Sequence, residues 1–159
     1  MRSLRPPSSS VRAVTMTALA VLLTLRAAPA GAALGESVDS ISRDRERLRG
    51  EVHESPRQGY GVHEITAAGG TVVREYVAPS GLVFGVAWEG PIMPDLESLL
   101  GRHYAAFRQA VSAGGHRRAP VVLRTQDLVV ASGGHMRAFR GRAYLPGILP
   151  RGFDAEGVR

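Results

Sequence analysis

Residues 82–114 read LVFGVAWEGPIMPDLESLLGRHYAAFRQAVSAG, and this stretch decides the fold. From Leu82 to Trp88 bulky side chains alternate with smaller ones, which is the two-residue period of a β-strand. After Pro94 the period changes, because the positions that would face a core recur every three or four residues. They are Leu96, Leu99, Leu100, His103, Phe107, Ala110 and Val111. We therefore predict an amphipathic helix that ends at Gly114-Gly115 and packs on the bulky face of the strand.

Two more strands are predicted before Leu82. Residues 60–65 and 71–78 have β character, and the connections at 67–70 and 79–81 contain the Gly and Pro residues that favour hairpin turns. The three strands should form an antiparallel meander. The segment before them, 54–59, contains Pro56 and is interpreted as a break in regular structure.

A shorter helix is predicted at the start of the domain, and Ser37 and Asp39 are both candidates for its cap. Its other face, residues 43–49, carries Arg, Asp and Glu side chains, including Asp44, that are expected to face solvent. Its apolar stripe consists of Val38, Ile41, Leu48 and Val52.

The second half of the domain is predicted to contain short strands at residues 121–125, 127–132 and 135–140, the last with residues 142–145 after Gly141. Gly133-Gly134 lies between two of them and is typical of a two-residue hairpin turn. The predicted fold class is α+β, with an antiparallel β-meander packed against two helices in the order α-β-β-β-α-β-β-β. We expect one small domain over residues 33–152, followed by an irregular C-terminal tail over residues 153–159.

Residues 1–32 are interpreted as a signal peptide. Three Arg residues precede an apolar run from Ala13 to Leu25, which is too short for the roughly 20 residues of a membrane span. Small residues follow this run, so cleavage is expected between Ala30 and Leu34. No Cys follows the run to carry a lipid. We expect a protein that is exported to the periplasm or the medium by a Sec-type signal, is not a lipoprotein, and has no membrane span after cleavage.

The composition excludes several classes of protein. The 159 residues contain no Cys, which rules out a disulfide scaffold, a thiolate metal site and a cysteine nucleophile. All 20 basic residues are Arg, so the chain has no lysine for Schiff-base chemistry. Removing the four Arg residues of the leader lowers the net charge from +6 to +2. Binding to nucleic acid is therefore not expected.

The candidate binding residues are His135, Arg137, Arg140 and Trp88. His135 follows the predicted Gly-Gly turn and is expected to share a strand face with Arg137. Trp88 is a candidate for the wall of a sugar or peptide groove, and core packing is the alternative for its indole.

The Arg residues of this half form the densest positive group in the mature chain: Arg124, Arg137, Arg140 and Arg142. Guanidinium groups suit carboxylate, phosphate or sulfate ligands. The alternative is an internal network of ion pairs, for which Glu75 and Glu89 are the expected partners.

No metal site and no cofactor are expected. His53-Glu54 and His63-Glu64 each resemble the start of a zinc-binding helix, but neither has a second ligand one turn later. His63 and Glu64 also lie on a predicted strand, where adjacent side chains point to opposite faces. The mature chain has no G-x-S-x-G motif and no phosphate-binding loop.

Short motifs follow one another along the chain: YGVHEI (60–65), VREYV (73–77), FGVAW (84–88) before Gly90-Pro91, PDL (94–96), LLG (99–101), SGGHMR (132–137) and YLP (144–146). In this order they resemble the DUF2844 family of uncharacterised secreted bacterial proteins. The likeness spans residues 33–152. It implies a small exported protein, and it carries no activity over to this chain.

Two classes of function are compatible with the sequence. The first is a non-catalytic binding or accessory module of the bacterial envelope, which uses His135, Arg137 and Arg140 to contact an envelope protein or a polymer. The second is an envelope-acting hydrolase of unrecognised type, in which His135 is the base and Glu75 or Glu89 is its carboxylate companion. The absence of a catalytic signature favours the first and leaves partner and oligomeric state open.

Overall fold

The centre of the protein is a seven-stranded antiparallel sheet, seen in a computed structural model that describes residues 34–114 and 120–159. Its strands are β1 (Glu51–Arg57), β2 (Tyr60–Thr66), β3 (Val72–Val77), β4 (Val83–Gly90), β5 (Val121–Arg124), β6 (Val129–His135) and β7 (Ala138–Tyr144). The helices are α1 (Ser40–Leu48), α2 (Leu96–Leu100) and α3 (Tyr104–Ala113). The strands lie in the order β1-β2-β3-β4-β7-β6-β5. The expected signal peptide, residues 1–32, lies outside the described residues.

The predicted α+β class and antiparallel sheet are confirmed, but the predicted order of elements misses one strand. Four strands, not three, separate α1 from α2, because the segment interpreted as a break belongs to β1. Pro56 is tolerated there because β1 pairs only with β2 and forms an edge of the sheet. Proline has no N–H to donate, and an edge strand has one side that needs no donor.

The prediction of a turn at Gly133-Gly134 is wrong. Both glycines lie inside β6, and Met136 and Arg137 form the turn between β6 and β7. A Cβ on Gly134 would lie 2.2 Å from the backbone oxygen of Ala138. Glycine is therefore required at this position by the close approach of β7.

Helix α1 is shorter than the predicted apolar stripe. It begins after Asp39 and ends at Leu48, because Arg49 takes a left-handed backbone conformation with a φ of 47°. The chain then reverses into β1, so Val52 lies on a strand. Asp44, expected to face solvent, is buried between α1 and the sheet.

The long helix predicted after Pro94 is interrupted. Asp95 caps α2 by accepting hydrogen bonds from the backbone N–H groups of Glu97 and Ser98, as an N-cap residue does. Gly101, with a φ of 51°, ends α2, and a short 3-10 turn leads into α3. The apolar positions of both helices still face the sheet, where Leu99, Leu100 and Phe107 are buried in one cluster.

The two faces of the sheet are covered differently. On the helix-covered face, strand residues such as Ile65, Val73 and Trp88 form the main core with the helices. On the other face, which we call the open face, a smaller cluster around Tyr76 and Phe84 is covered by the C-terminal segment, residues 146–159. The open face leaves its polar side chains uncovered by α-helices, and the site described below lies there.

The C-terminal segment is anchored on the open face. Val158 is fully buried, and its side chain lies over Gly85. The Tyr76 hydroxyl donates a 2.7 Å hydrogen bond to the Arg159 carbonyl oxygen and accepts a 3.1 Å hydrogen bond from the Arg159 N–H. Residues 153–159, expected to be an irregular tail, therefore pack against the sheet and include a 3-10 turn at Ala155–Gly157.

Candidate functional site

One end of the open face carries a cleft of about 340 Å³, which we call the basic cleft. The β6–β7 hairpin contributes His135, Arg137 and Arg140 to its wall, and β4 contributes Glu89. Three of the four predicted binding residues therefore line the same cleft. The density of Arg in this half of the chain identified Arg137 and Arg140, whereas His135 was chosen because it follows Gly133-Gly134.

The hairpin holds His135 and Arg137 in different backbone environments. His135 is the last residue of β6 and pairs with Ala138, whereas Arg137 lies in the turn. The expectation that they share a strand face is wrong, because the turn lies three residues later than predicted. Arg137 has a φ of 66°, which is uncommon for a residue with a side chain and often occurs at functional positions. Met136, between them, is 85% exposed.

Arg140 and Arg142 lie two residues apart on β7, but only one of them has an internal partner. Arg142 Nη2 lies 2.8 Å from both carboxylate oxygens of Glu156, and Nη1 contacts the Val158 carbonyl oxygen at 3.4 Å. Arg137 and Arg140 form no salt bridge among residues 34–114 and 120–159. Arg142 therefore has an internal partner, Glu156, which is neither of the expected partners Glu75 and Glu89, whereas Arg137 and Arg140 remain available to an external anion.

Glu75 cannot be the companion of His135. Its side chain lies on the helix-covered face and has no exposed surface, whereas His135 is exposed at the end of β6. Glu89 does share the basic cleft with His135. The closest polar contact of the imidazole is with the backbone, because Nδ1 lies 3.4 Å from the Met136 carbonyl oxygen.

Glu75 instead faces Asp44, which lies in α1 and is also buried. Burial, with the neighbouring Asp44 carboxyl as the next cause, raises the pKa of Glu75 to about 9. Burial also raises the pKa of Asp44, despite the Arg47 and Arg43 charges that oppose the rise. Sequence reasoning missed this pair, since the charge pattern of α1 indicated a solvated position for Asp44.

Trp88 does not belong to the basic cleft. It lies on the helix-covered face, its exposed fraction is 1%, and its indole lies over Gly141. Its side chain offers almost no surface to a ligand, so the core-packing alternative is correct for this residue.

Two wider grooves continue from the basic cleft across the open face. One, of about 430 Å³, is lined by Arg140, Arg142 and Arg159, among others. The other, of about 670 Å³, is lined by Arg57, Arg74 and Arg159, among others. Glu89 lines both grooves as well as the basic cleft. The sequence offered Glu89 as an ion-pair partner for the Arg residues and as the companion of a base, but its central position depends on strand order.

The sheet separates the residues of the two His-Glu motifs that were considered for zinc. His63 points to the helix-covered face, 3.9 Å from Glu54, whereas Glu64 accepts a 2.7 Å hydrogen bond from Arg74 on the open face. Within the described ranges, no group of three or more His, Asp or Glu side chains is placed to hold a metal ion. No helix in those ranges is long and apolar enough to cross a membrane.

Comparison with known proteins gives one match. No curated protein and no solved structure matches the chain significantly. A sequence model of DUF2844, described as a protein of unknown function, matches residues 30–158. This match covers the sheet, the helices and the basic cleft. The chain therefore belongs to the DUF2844 family.

Proposed function

We propose that this protein is an exported, non-catalytic binding or accessory module of the bacterial envelope, and that the basic cleft binds an anionic group of an envelope protein or polymer. The observation that carries the proposal is the pair Arg137 and Arg140, which line one cleft and form no salt bridge among the described residues. A guanidinium group in a concave site presents several parallel donors to a carboxylate or phosphate.

Two features of the cleft support recognition by this hairpin. Arg137 is held in a left-handed conformation, and Met136 at the tip places an exposed apolar side chain next to the charged groups. Interfaces commonly combine Arg with Met or aromatic side chains, because Arg supplies directed hydrogen bonds and the apolar groups exclude water.

Export is part of the proposal and rests on the leader. Its basic start, its apolar run and its small residues up to Ala33 have the order of a secretion signal. The family match begins at residue 30, at the start of the range 30–34 in which cleavage is expected. Leu34, the first residue that the structure describes, is buried against the helices.

The test compares a cleft variant with a charge-matched control. The double variant Arg137→Ala/Arg140→Ala removes two cations from the cleft, and Arg45→Ala/Arg108→Ala removes two exposed cations from α1 and α3. Each tagged mature protein is incubated with the envelope fraction of its host, and the bound material is identified by mass spectrometry and then tested for direct binding. We expect one ligand to bind wild type and control but not the cleft variant. Equal binding by all three proteins would reject the cleft as the site.

The hydrolase alternative uses His135 with Glu89, which share the cleft. It predicts that the wild-type protein cleaves envelope material and that His135→Ala abolishes this cleavage. The binding proposal predicts no turnover by either protein and weaker retention of the ligand by His135→Ala.

A further inference from the structure

Glu89 occupies an unusual position for an acidic residue. It lies at the end of β4 with its side chain on the open face, directly opposite Arg140 of β7. It is exposed and lines the basic cleft and both grooves that continue from it. A carboxylate therefore lies at the centre of a surface whose other charged groups are mostly Arg.

Glu89 and Arg140 form no salt bridge with each other. The salt bridges formed among the described residues are His63–Glu54, Arg74–Glu64 and Arg142–Glu156. Directly opposed residues on antiparallel strands have Cβ atoms about 5 Å apart. The cleft thus presents a carboxylate, which can bind a cation, beside a guanidinium group, which can bind an anion. Arg137 lies beyond Arg140 and supplies a second cation.

A ligand with a single negative charge would use only part of this arrangement and would be repelled by Glu89. A ligand with an ammonium and a carboxylate a few ångströms apart would satisfy both groups. An extended dipeptide spans about 7 Å, at roughly 3.5 Å per residue, and carries one charge of each sign at its ends. This length is compatible with opposed side chains whose Cβ atoms are about 5 Å apart and whose charged groups form no salt bridge with each other.

We propose that Glu89 makes the basic cleft selective for a zwitterionic peptide group, in which Glu89 binds the ammonium and Arg140, assisted by Arg137, binds the carboxylate. This inference rests on the proposed function, because it names the ligand class of the same cleft. It assigns Glu89 the role of selecting among ligands, and Arg140 the role of binding any of them.

The test uses a dipeptide and two derivatives of it, each of which lacks one of its two charges. They are the dipeptide alanyl-alanine, its N-acetyl derivative, which lacks the ammonium, and its C-terminal amide, which lacks the carboxylate. Binding is followed by NMR chemical-shift titration of the folded mature protein. The variants are Glu89→Gln and Arg140→Gln, and the control is Glu46→Gln, which removes an exposed carboxylate from α1.

Wild type and Glu46→Gln should bind the free dipeptide at least about fivefold more tightly than the N-acetyl form, the effect of one charge-assisted contact. Glu89→Gln should remove this preference and leave binding of the N-acetyl form intact or stronger. Arg140→Gln should weaken binding of both. The amide should bind more weakly than the free dipeptide.

The outcomes separate the inference from the proposed function. If Glu89→Gln strengthens binding of the free and N-acetyl forms by the same factor, Glu89 only repels anions, and the inference is overturned while the anion site stands. If Arg140→Gln leaves the binding of both carboxylate probes unchanged, or if no probe shifts the cleft resonances at millimolar concentration, the anion site and the inference are both rejected.

Discussion

The carboxyl groups of Asp44 in α1 and Glu75 in β3 interact inside the protein, where the exposed fractions of the two residues are 2% and 0%. Glu75 Oε1 and Oε2 and Asp44 Oδ2 form no hydrogen bond of good geometry to any described residue. Two buried carboxyls cannot both ionise without a large electrostatic cost, so Glu75 is held in its neutral form at neutral pH. We therefore expect the contact between α1 and the sheet to weaken when Glu75 ionises.

This pair predicts that the protein loses stability as pH rises. The pKa of Glu75 is raised from 4.5 to about 9 in the folded protein, so between these values the folded state binds more protons than the unfolded state. The contribution is fully present below pH 4.5 and is lost as pH rises towards 9. Glu75→Gln keeps a neutral side chain of similar shape. We expect it to flatten the pH dependence and to exceed wild type in stability at pH 8.5.

The measurement is urea unfolding of wild type and Glu75→Gln at pH 5, 7 and 8.5. Glu46→Gln, on the exposed side of α1, is the control and should follow wild type at every pH. Glu75 would not be neutral in the folded protein if the unfolding free energy of wild type stayed constant or increased from pH 5 to 8.5. Glu75→Gln would then show the same profile.

Gly141→Ala is expected to disturb the core under Trp88. A Cβ at Gly141 would lie 2.2 Å from Trp88 Cζ2 and 2.7 Å from the backbone oxygen of Ala131, so a methyl group has no space. Overpacking of this kind costs about 1–3 kcal/mol of unfolding free energy. Trp88 is the single Trp of the chain, so its fluorescence reports both the local change and global unfolding.

The control for this substitution is Gly147→Ala, because no atom lies within 4 Å of a Cβ at Gly147. It should change the unfolding free energy by less than about 0.5 kcal/mol. If both variants unfold at the same urea concentration as wild type, the indole does not occupy the space above Gly141.

Tyr76→Phe is expected to loosen the C-terminal segment. The hydroxyl makes one hydrogen bond as donor and one as acceptor, both with the backbone of Arg159. Each intramolecular hydrogen bond contributes about 0.5–1.5 kcal/mol, so we expect a loss of about 1–2 kcal/mol together with faster amide hydrogen exchange at Arg159. Tyr104→Phe is the matched control, since the Tyr104 hydroxyl makes no hydrogen bond among the described residues. Unchanged exchange at Arg159 in Tyr76→Phe would show that the Tyr76 hydroxyl does not hold the end of the segment.

The mature protein is expected to begin between residues 31 and 34. Cleavage beyond this point would remove Leu34, whose side chain is buried and whose N–H donates to the Leu99 carbonyl oxygen at 3.3 Å. Intact-mass measurement of the protein recovered from periplasm or medium gives the bond directly. Leu22→Arg/Leu23→Arg, which breaks the apolar run, should block export. If wild type is recovered from the cytoplasm as an uncleaved chain, residues 1–32 are not a signal peptide.

The elements with a strong period were predictable from the sequence. The alternation up to Trp88 and the three-to-four spacing after Pro94 identified a strand and a helical region that pack together, and the structure has β4, α2 and α3 there. Local spacing suffices for such elements, because the period shows which side chains share one face. The Arg density near the β6–β7 hairpin likewise pointed to the residues of the basic cleft.

The errors occurred where a residue's role depends on a distant neighbour. Pro56 permits a strand only because β1 is an edge of the sheet, and this depends on the order of all seven strands. The burial of Asp44 depends on its position opposite Glu75, which is far away in the chain. None of these neighbours can be identified from local spacing.

By itself, the sequence determined the α+β class, the absence of cysteine and lysine chemistry, and the group of Arg residues that includes Arg137 and Arg140. Only the tertiary structure decided that Trp88 is a core residue, that Arg142 has an internal partner, and that Glu89 lies beside Arg140. Composition and periodicity can be read from the linear sequence. Strand order and register bring together residues from distant segments, and those contacts decide which charges are neutralised and which are left for a ligand.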